Sequence, residues 1–391
     1  MTSSAPNTVA LVLVGDELLT GHTIDTNGPW LGRRLTEEGL QVGAATIAPD
    51  DADAVVRAIE HGMEAARAVL VTGGLGPTPD DVTRAALARV PGHWVNAELA
   101  NDVGIEPGAR LESSRAIVYA VPGVPAEMRA MVSGQVLPEI VTAAGHMSPR
   151  STRSLIVVGL PESRVAELLT PVREYLGDRG RLSYLPQTAE VEVLIGSTGN
   201  DASTLAAAAT ARARQLLGDA VAAENQRLEE AVVQMLGARG VSVATAESLT
   251  GGLVAAALVS VPGASDVVRG GVVAYATDLK ADLLGVDTDL LARDGAVAPT
   301  TATAMAEGIR TRCRADFGVA TTGVAGPDPQ EGYPAGTMHV AVASRRGARV
   351  GSFEPSGQRH DRETVRRQAV VRALDLLRRA VVDAGPGPGE S

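Results

Sequence analysis

Aromatic side chains are scarce in this chain: two Trp, five Tyr and two Phe among 391 residues, 2% in all. Hydrophobic residues still reach 45%, so the interior has to be assembled from Ala, Val and Leu on regular elements, which favours an α/β class. A single cysteine, Cys313, excludes an intramolecular disulfide framework, and six scattered histidines offer no local metal-ligand spacing. No run of about 20 apolar residues occurs, and the opening MTSSAPNTVALVLVGDELL lacks the basic segment and long apolar core of a signal peptide. A cytoplasmic chain with no membrane partner is therefore expected. Positive charge is also in deficit, with 35 Lys and Arg against 46 Asp and Glu and a net charge of -11. Without a basic stripe to neutralise a phosphate backbone, nucleic acid is not an expected partner. One phosphate needs only a few backbone amides and one or two arginines, so a small anionic ligand stays open.

The length suggests two or three domains of roughly 100–200 residues. Apolar runs Val9–Val14 and Ala68–Thr72 each end in glycine, with a helical pattern over Trp30–Glu38 between them. Strands alternating with helices imply a doubly wound parallel sheet over residues 1–146, its glycine turns gathered at the carboxyl ends of the strands. From 150 to 222, LIVVG, a helix from Glu162, SYLP, Val191–Ile195 and a helix from Ala202 predict a small βαββα connecting module. A third α/β domain spans 226–384, with strands Val241–Ala246, Gly271–Tyr275, Val319–Thr322 and Thr337–Ala343 and helices Thr300–Arg314 and Thr364–Val382. The tail 385–391 is Gly/Pro-rich and expected to fray.

The chemistry-bearing residues concentrate in the third domain. Thr245-Ala-Glu-Ser-Leu-Thr-Gly-Gly252 places Ser248 between a strand and an apolar helix, where unpaired amides favour developing negative charge and glycines admit close approach. Ser248 or Thr250 as a plain helix cap is the alternative. Tyr275 ends the next strand and Lys280 follows five residues on; alone, Lys280 reads as a solvated surface lysine, since a lysine acts as base only when its pKa is lowered. Ala320–Asp328 runs from a strand into a Gly/Pro loop suited to oxyanions or equally to a plain turn. Arg362 and Arg366, four apart at a helix start, either face one phosphate or form a solvated face. His339 and His360 sit in no recognisable triad context.

TAES-x-TGG, Tyr-x4-Lys, TGVAGPD and DR-x3-R occur in that order over about 120 residues. Together they closely resemble the C-terminal domain of the competence/damage-inducible protein A (CinA) family. The resemblance implies hydrolysis of the nicotinamide mononucleotide carboxamide to nicotinate mononucleotide and ammonia. It makes Ser248 the nucleophile, Lys280 its base and Tyr275 a helper. Thr250, Gly251, Gly252, Thr322, Gly323, Gly326, Asp328, Arg362 and Arg366 become the expected substrate contacts, with no cofactor required. Leu249 stands where the family usually has Cys.

The first domain resembles the N-terminal half of the same family, which shares its fold with molybdopterin-binding proteins. Gly15-Asp16-Glu17, Asn27, Gly73, Gly74, Gly76 and Thr78 are its expected nucleotide contacts, and Asp80 and Asp81 its expected divalent-metal ligands, for ADP-ribose pyrophosphate hydrolysis. An Asp-capped helix start is the alternative reading of that aspartate pair. The stretch between Arg84 and Val121 is shorter than the resemblance leads one to expect. A competence-associated binding protein without turnover is the third reading, and a homo-oligomer is the expected state.

Overall fold

The computed structural model describes residues 7–90, 95–112, 116–145, 150–355 and 361–385. His360, the expected boundary at 146 and most of the expected tail lie outside them. Two compact units emerge, residues 1–151 with 198–201, and residues 152–197 with 202–391.

In the first unit β1 (Thr8–Val14) and β3 (Ala68–Thr72) are buried along their whole length, as apolar runs inside a parallel sheet must be. With β2 (Gln41–Ala48) and β6 (Ile117–Val121) they form a parallel set in the order β2-β1-β3-β6. Beyond β6 come β5 (Gly108–Glu112) and β4 (Val95–Leu99), both antiparallel to their neighbours. The sheet is therefore mixed rather than wholly parallel. The links from β4 to β5 and from β5 to β6 are too short for a crossover, so only antiparallel pairing is available in this shortened stretch. Alternate residues of β1 feed two cores. Val9 and Leu11 meet Leu31 and Leu35 of the helix Asn27–Glu37, whereas Ala10 and Val12 meet Val55 and Ile59 of the helix Ala52–Ala65.

The second unit merges the expected connecting module with the third domain. Strands β7 (Arg150–Val158), β8 (Gly180–Gln187), β9 (Glu190–Thr198) and β10 (Val221–Glu224) form a sheet ordered β10-β7-β9-β8. Ile156, Val158, Ala222 and Ala223 share one core with Leu236, Val243, Val254 and Leu374. β10 was not expected from the sequence; four residues of Val-Ala-Ala-Glu carry too little alternation to mark a strand.

The last sheet runs β12 (Val268–Val273), β11 (Val243–Glu247), β13 (Phe317–Gly323), β14 (Met338–Ser344), β15 (Gly347–Phe353). β12, β11 and β13 are parallel; β14 and β15 return antiparallel. β11 and β12 end level, Glu247 pairing with Val273, while β13 pairs with Glu247 at Thr321 and runs two residues further to Gly323. Their carboxyl ends are where an open α/β sheet presents ligand-binding loops.

Candidate active site

Ser248 is the first residue past β11, held by its own amide, which donates to Thr321 O at 2.9 Å. Lys280 lies on the helix Thr277–Leu284, not on a turn, and is 1% exposed. Its surface reading therefore fails. The amine contacts Ser248 Oγ at 3.3 Å, Ala274 O at 2.9 Å and Tyr275 O at 3.3 Å. Burial lowers the Lys280 pKa from its ordinary 10.5, opposed by the charges of Glu331 and Asp278. None of the three contacts is a carboxylate; when neutral, the amine can give its two N–H groups to the two carbonyls and accept the Ser248 hydroxyl on its lone pair.

A cavity of about 130 Å³ opens beside this pair, lined by Ser248, Tyr275, Lys280, Thr322, Gly323, Gly326, Asp328 and Arg362. Tyr275 is 57% exposed at its mouth, where its phenol oxygen accepts from Arg362 at 2.6 Å. Arg362 also donates to Gly326 O at 2.7 Å, so it ties the Tyr275 rim to the Gly323–Asp328 loop. Thr322 Oγ1 is turned to Ala296 O at 2.7 Å. At Gly323 an added Cβ would lie 2.4 Å from Thr337 O, so no larger residue fits between β13 and β14 there.

Three expected substrate contacts are used for other purposes. Thr250 is fully buried, its hydroxyl donating to Glu247 Oε2 and lying 2.7 Å from Thr321 Oγ1. Gly252, at φ 100°, caps the helix Leu253–Val259 in a left-handed conformation, and its amide donates to Glu247. Arg366 is directed at the Leu249 and Thr250 carbonyls, at 3.3 and 2.9 Å, and pairs with Glu363. Beside it, Gly251 is left-handed at φ 60°.

The helix amides expected to face the reacting centre are likewise occupied. Glu247, 1% exposed, accepts from Gly252, Val254 and Ala255 N–H and from the Thr250 hydroxyl. Its carboxylate, not the Ser248 or Thr250 hydroxyl, satisfies the amides at the start of that helix. The amides left without a partner in this loop, among the described residues, are those of Leu249 and Thr250. Sequence reasoning passed over Glu247 because it stands in the last position of a strand-like VATAE run; the signal available was an acidic residue four positions before a Gly-Gly helix start.

In the first unit a cavity of about 850 Å³ is lined by Gly15, Glu17, Gly73, Gly74, Gly76, Thr78, Asp80 and Asp81. Asp16 and Asn27 serve the framework around it. Asp16 exchanges backbone-to-carboxylate hydrogen bonds with Asp50, and the Asn27 amide reaches Thr72 Oγ1 and Gly123 O. Asp81 accepts from the Thr78 amide at 2.8 Å and the Thr78 hydroxyl at 2.5 Å, a capping geometry. Among the described residues no group of three or more His, Cys, Asp or Glu is placed to hold a metal ion. Asp50, overlooked in the sequence, joins this wall; burial raises its pKa, with the charges of Asp16, Glu17 and Asp80 adding to the effect.

A family profile for the CinA C-terminal domain matches residues 225–381, and one for a probable molybdopterin binding domain matches residues 10–162. A CinA-like protein of Frankia casuarinae is 40% identical over 414 residues, covering 94% of this chain and 95% of its own. The chain belongs to the CinA-like proteins. One from Anaeromyxobacter dehalogenans is 38% identical, covering 95% of this chain and 99% of its own. Among solved structures, the competence/damage inducible protein CihA from Agrobacterium tumefaciens is 40% identical and covers 39% of this chain and 93% of that one, with a TM-score of 0.37. The Frankia alignment spans 414 residues against the 391 present here, so the CinA-like relative carries segments this chain lacks. No helix among the described residues is long and apolar enough to cross a membrane.

Proposed function

We propose that this CinA-like protein hydrolyses the carboxamide of nicotinamide mononucleotide, yielding nicotinate mononucleotide and ammonia. The observation that carries the reading is the buried Lys280 amine, in contact with two backbone carbonyls and Ser248 Oγ and no acid. A lysine in that setting accepts the serine proton as Oγ attacks the carboxamide carbon. The proton then passes to the leaving amine, ammonia departs, and water clears the acyl-enzyme. The unpartnered amides of Leu249 and Thr250 are the donors left in the loop for the oxyanion.

The cavity of about 130 Å³ suits the planar carboxamide end of a substrate, with the ribose and phosphate at its mouth. Arg362, at that mouth, is the cation available to a phosphate. The decisive test is ammonia release from nicotinamide mononucleotide, with nicotinamide and its riboside as comparisons. Turnover of the mononucleotide, lost in Ser248→Ala with an unchanged thermal transition, is the expected result. Equal turnover in that variant would refute the reading.

A further inference from the structure

The Ser248 loop is short and contains two consecutive left-handed glycines, Gly251 at φ 60° and Gly252 at φ 100°. Such a segment has wide conformational freedom unless its polar groups are pinned. It is pinned from both sides. Arg366 donates to the Leu249 and Thr250 carbonyls at 3.3 and 2.9 Å. From beneath, Glu247 Oε2 accepts from the Thr250 hydroxyl at 2.7 Å and from Gly252 and Val254 N–H at 2.9 Å each, while Oε1 accepts from Ala255 N–H at 2.8 Å.

A buried acid with no basic partner is normally costly, and here four donors replace the water it lost. The same carboxylate takes the free amides that start the helix Leu253–Val259, so their partial positive charge is spent on Glu247. Thr250 extends the arrangement to the neighbouring strand through Thr321 Oγ1 at 2.7 Å, and Thr321 O holds the Ser248 amide at 2.9 Å. Glu247, Thr250 and Thr321 thus form one chain of contacts that ends on the nucleophile's own backbone.

We propose that Glu247 is a positioning residue for Ser248: its side chain locks the 248–252 loop in the single conformation that holds Ser248 Oγ against the Lys280 amine. The proposal rests on the amidase reading only for Ser248 being the nucleophile. Glutamine is the informative replacement. It keeps the size but sets an NH2 group against N–H donors, so one of the two oxygen positions must break its contacts and the loop must move. A displacement near 1 Å at a nucleophile costs on the order of 10²-fold in rate.

The test uses the full chain and a small alkyl fluorophosphonate, which needs no knowledge of the substrate. Ser248 Oγ forms a bond to phosphorus, the P–F bond breaks, fluoride leaves, and the serine proton passes to Lys280 Nζ. Peptide mass locates the adduct, and Ser248→Ala must show none. Wild type is expected to label at Ser248. Glu247→Gln should label about 10²-fold more slowly per folded molecule, with its half-saturating probe concentration within about twofold of wild type. Thr250→Val, which removes only the hydroxyl between Glu247 and Thr321, should show a smaller loss of the same kind and serves if the glutamine variant does not fold.

Wild-type labelling rates per folded molecule in these variants would overturn the proposal. So would a loss accounted for entirely by the unfolded fraction, since that is what a merely structural acid gives. A wild type that labels at Ser248 but releases no ammonia from the mononucleotide removes the substrate reading and leaves Glu247 in place. Absence of labelling at Ser248 removes both.

Discussion

Arg362 Nη2 donates to the Tyr275 phenol oxygen at 2.6 Å, joining the helix Arg362–Asp383 to the chain just beyond β12 across the mouth of the small cavity. The guanidinium is exposed and its second nitrogen rests on Gly326 O, so a phosphate arriving at the mouth meets a cation already held in place. Arg362→Ala should raise the KM for nicotinamide mononucleotide roughly tenfold or more, the loss expected for a hydrogen bond to a charged group. The KM for the riboside, which has no phosphate, should hold. Equal effects on both substrates would assign Arg362 to loop support alone.

Lys280 fixes the pH dependence. As the base it must be neutral, and burial lowers its pKa from 10.5, so kcat/KM should rise with pH and level off below 10.5. Between the lowered folded value and 10.5 the unfolded chain binds more protons, so stability also rises with pH across that window. Lys280→Met should abolish activity and flatten that part of the stability curve. A pH–rate midpoint at or above 10.5 would contradict the assignment.

Glu190 behaves in the opposite sense. Burial, with the charges of Glu229 and Glu192, raises its pKa from 4.5 to about 7. The folded state therefore holds a proton that the unfolded state releases first, and stability falls as pH rises from 4.5 through about 7. Glu190→Gln should leave the thermal midpoint unchanged near pH 4 and raise it at pH 8.5. A variant that melts lower at both pH values would count against this account.

Arg378 and Asp375 are both 8% exposed and lie 2.8 Å apart on the long last helix, and Arg378 also donates to Asp219 O at 2.9 Å. Asp375 keeps Arg379 as a more exposed partner. Arg378→Met should destabilise the chain by about 3 kcal/mol, because removing one member of a buried pair leaves the other poorly compensated. Denaturant unfolding measures this, and a loss under about 1 kcal/mol would show that Arg379 suffices.

Much of the site was legible in the order of the residues. Ser248 after a strand, Tyr275 and Lys280 after the next, and Gly323 to Asp328 after a third all came from strand-then-glycine patterns that place them at adjacent strand ends. What escaped was set by contacts distant in sequence. Lys280 looks like any surface lysine until the helix Thr277–Leu284 turns it inward; β4 and β5 are antiparallel because their links are short; β15, in GARVGSF, alternates too weakly to declare itself. Arg366 and Thr250 were legible as substrate contacts, but not as supports for the Ser248 loop. Asp50 joins the N-terminal wall only because β2 ends level with β1.

The level ending of β11 and β12 has one more consequence. Ala274 N donates to Glu247 O at 2.9 Å, which fixes the Ala274 carbonyl that receives Lys280. The exposed side chains of Arg269 and Val273 on β12 can therefore vary without disturbing the amine, provided the spacing survives, whereas a Cβ at Gly271 would lie 2.2 Å from Thr245 Oγ1. Insertion or deletion of one residue in Val268–Val273 would rotate that carbonyl away and strip the lysine of an acceptor. At the exposed positions of this strand, length is under tighter constraint than composition.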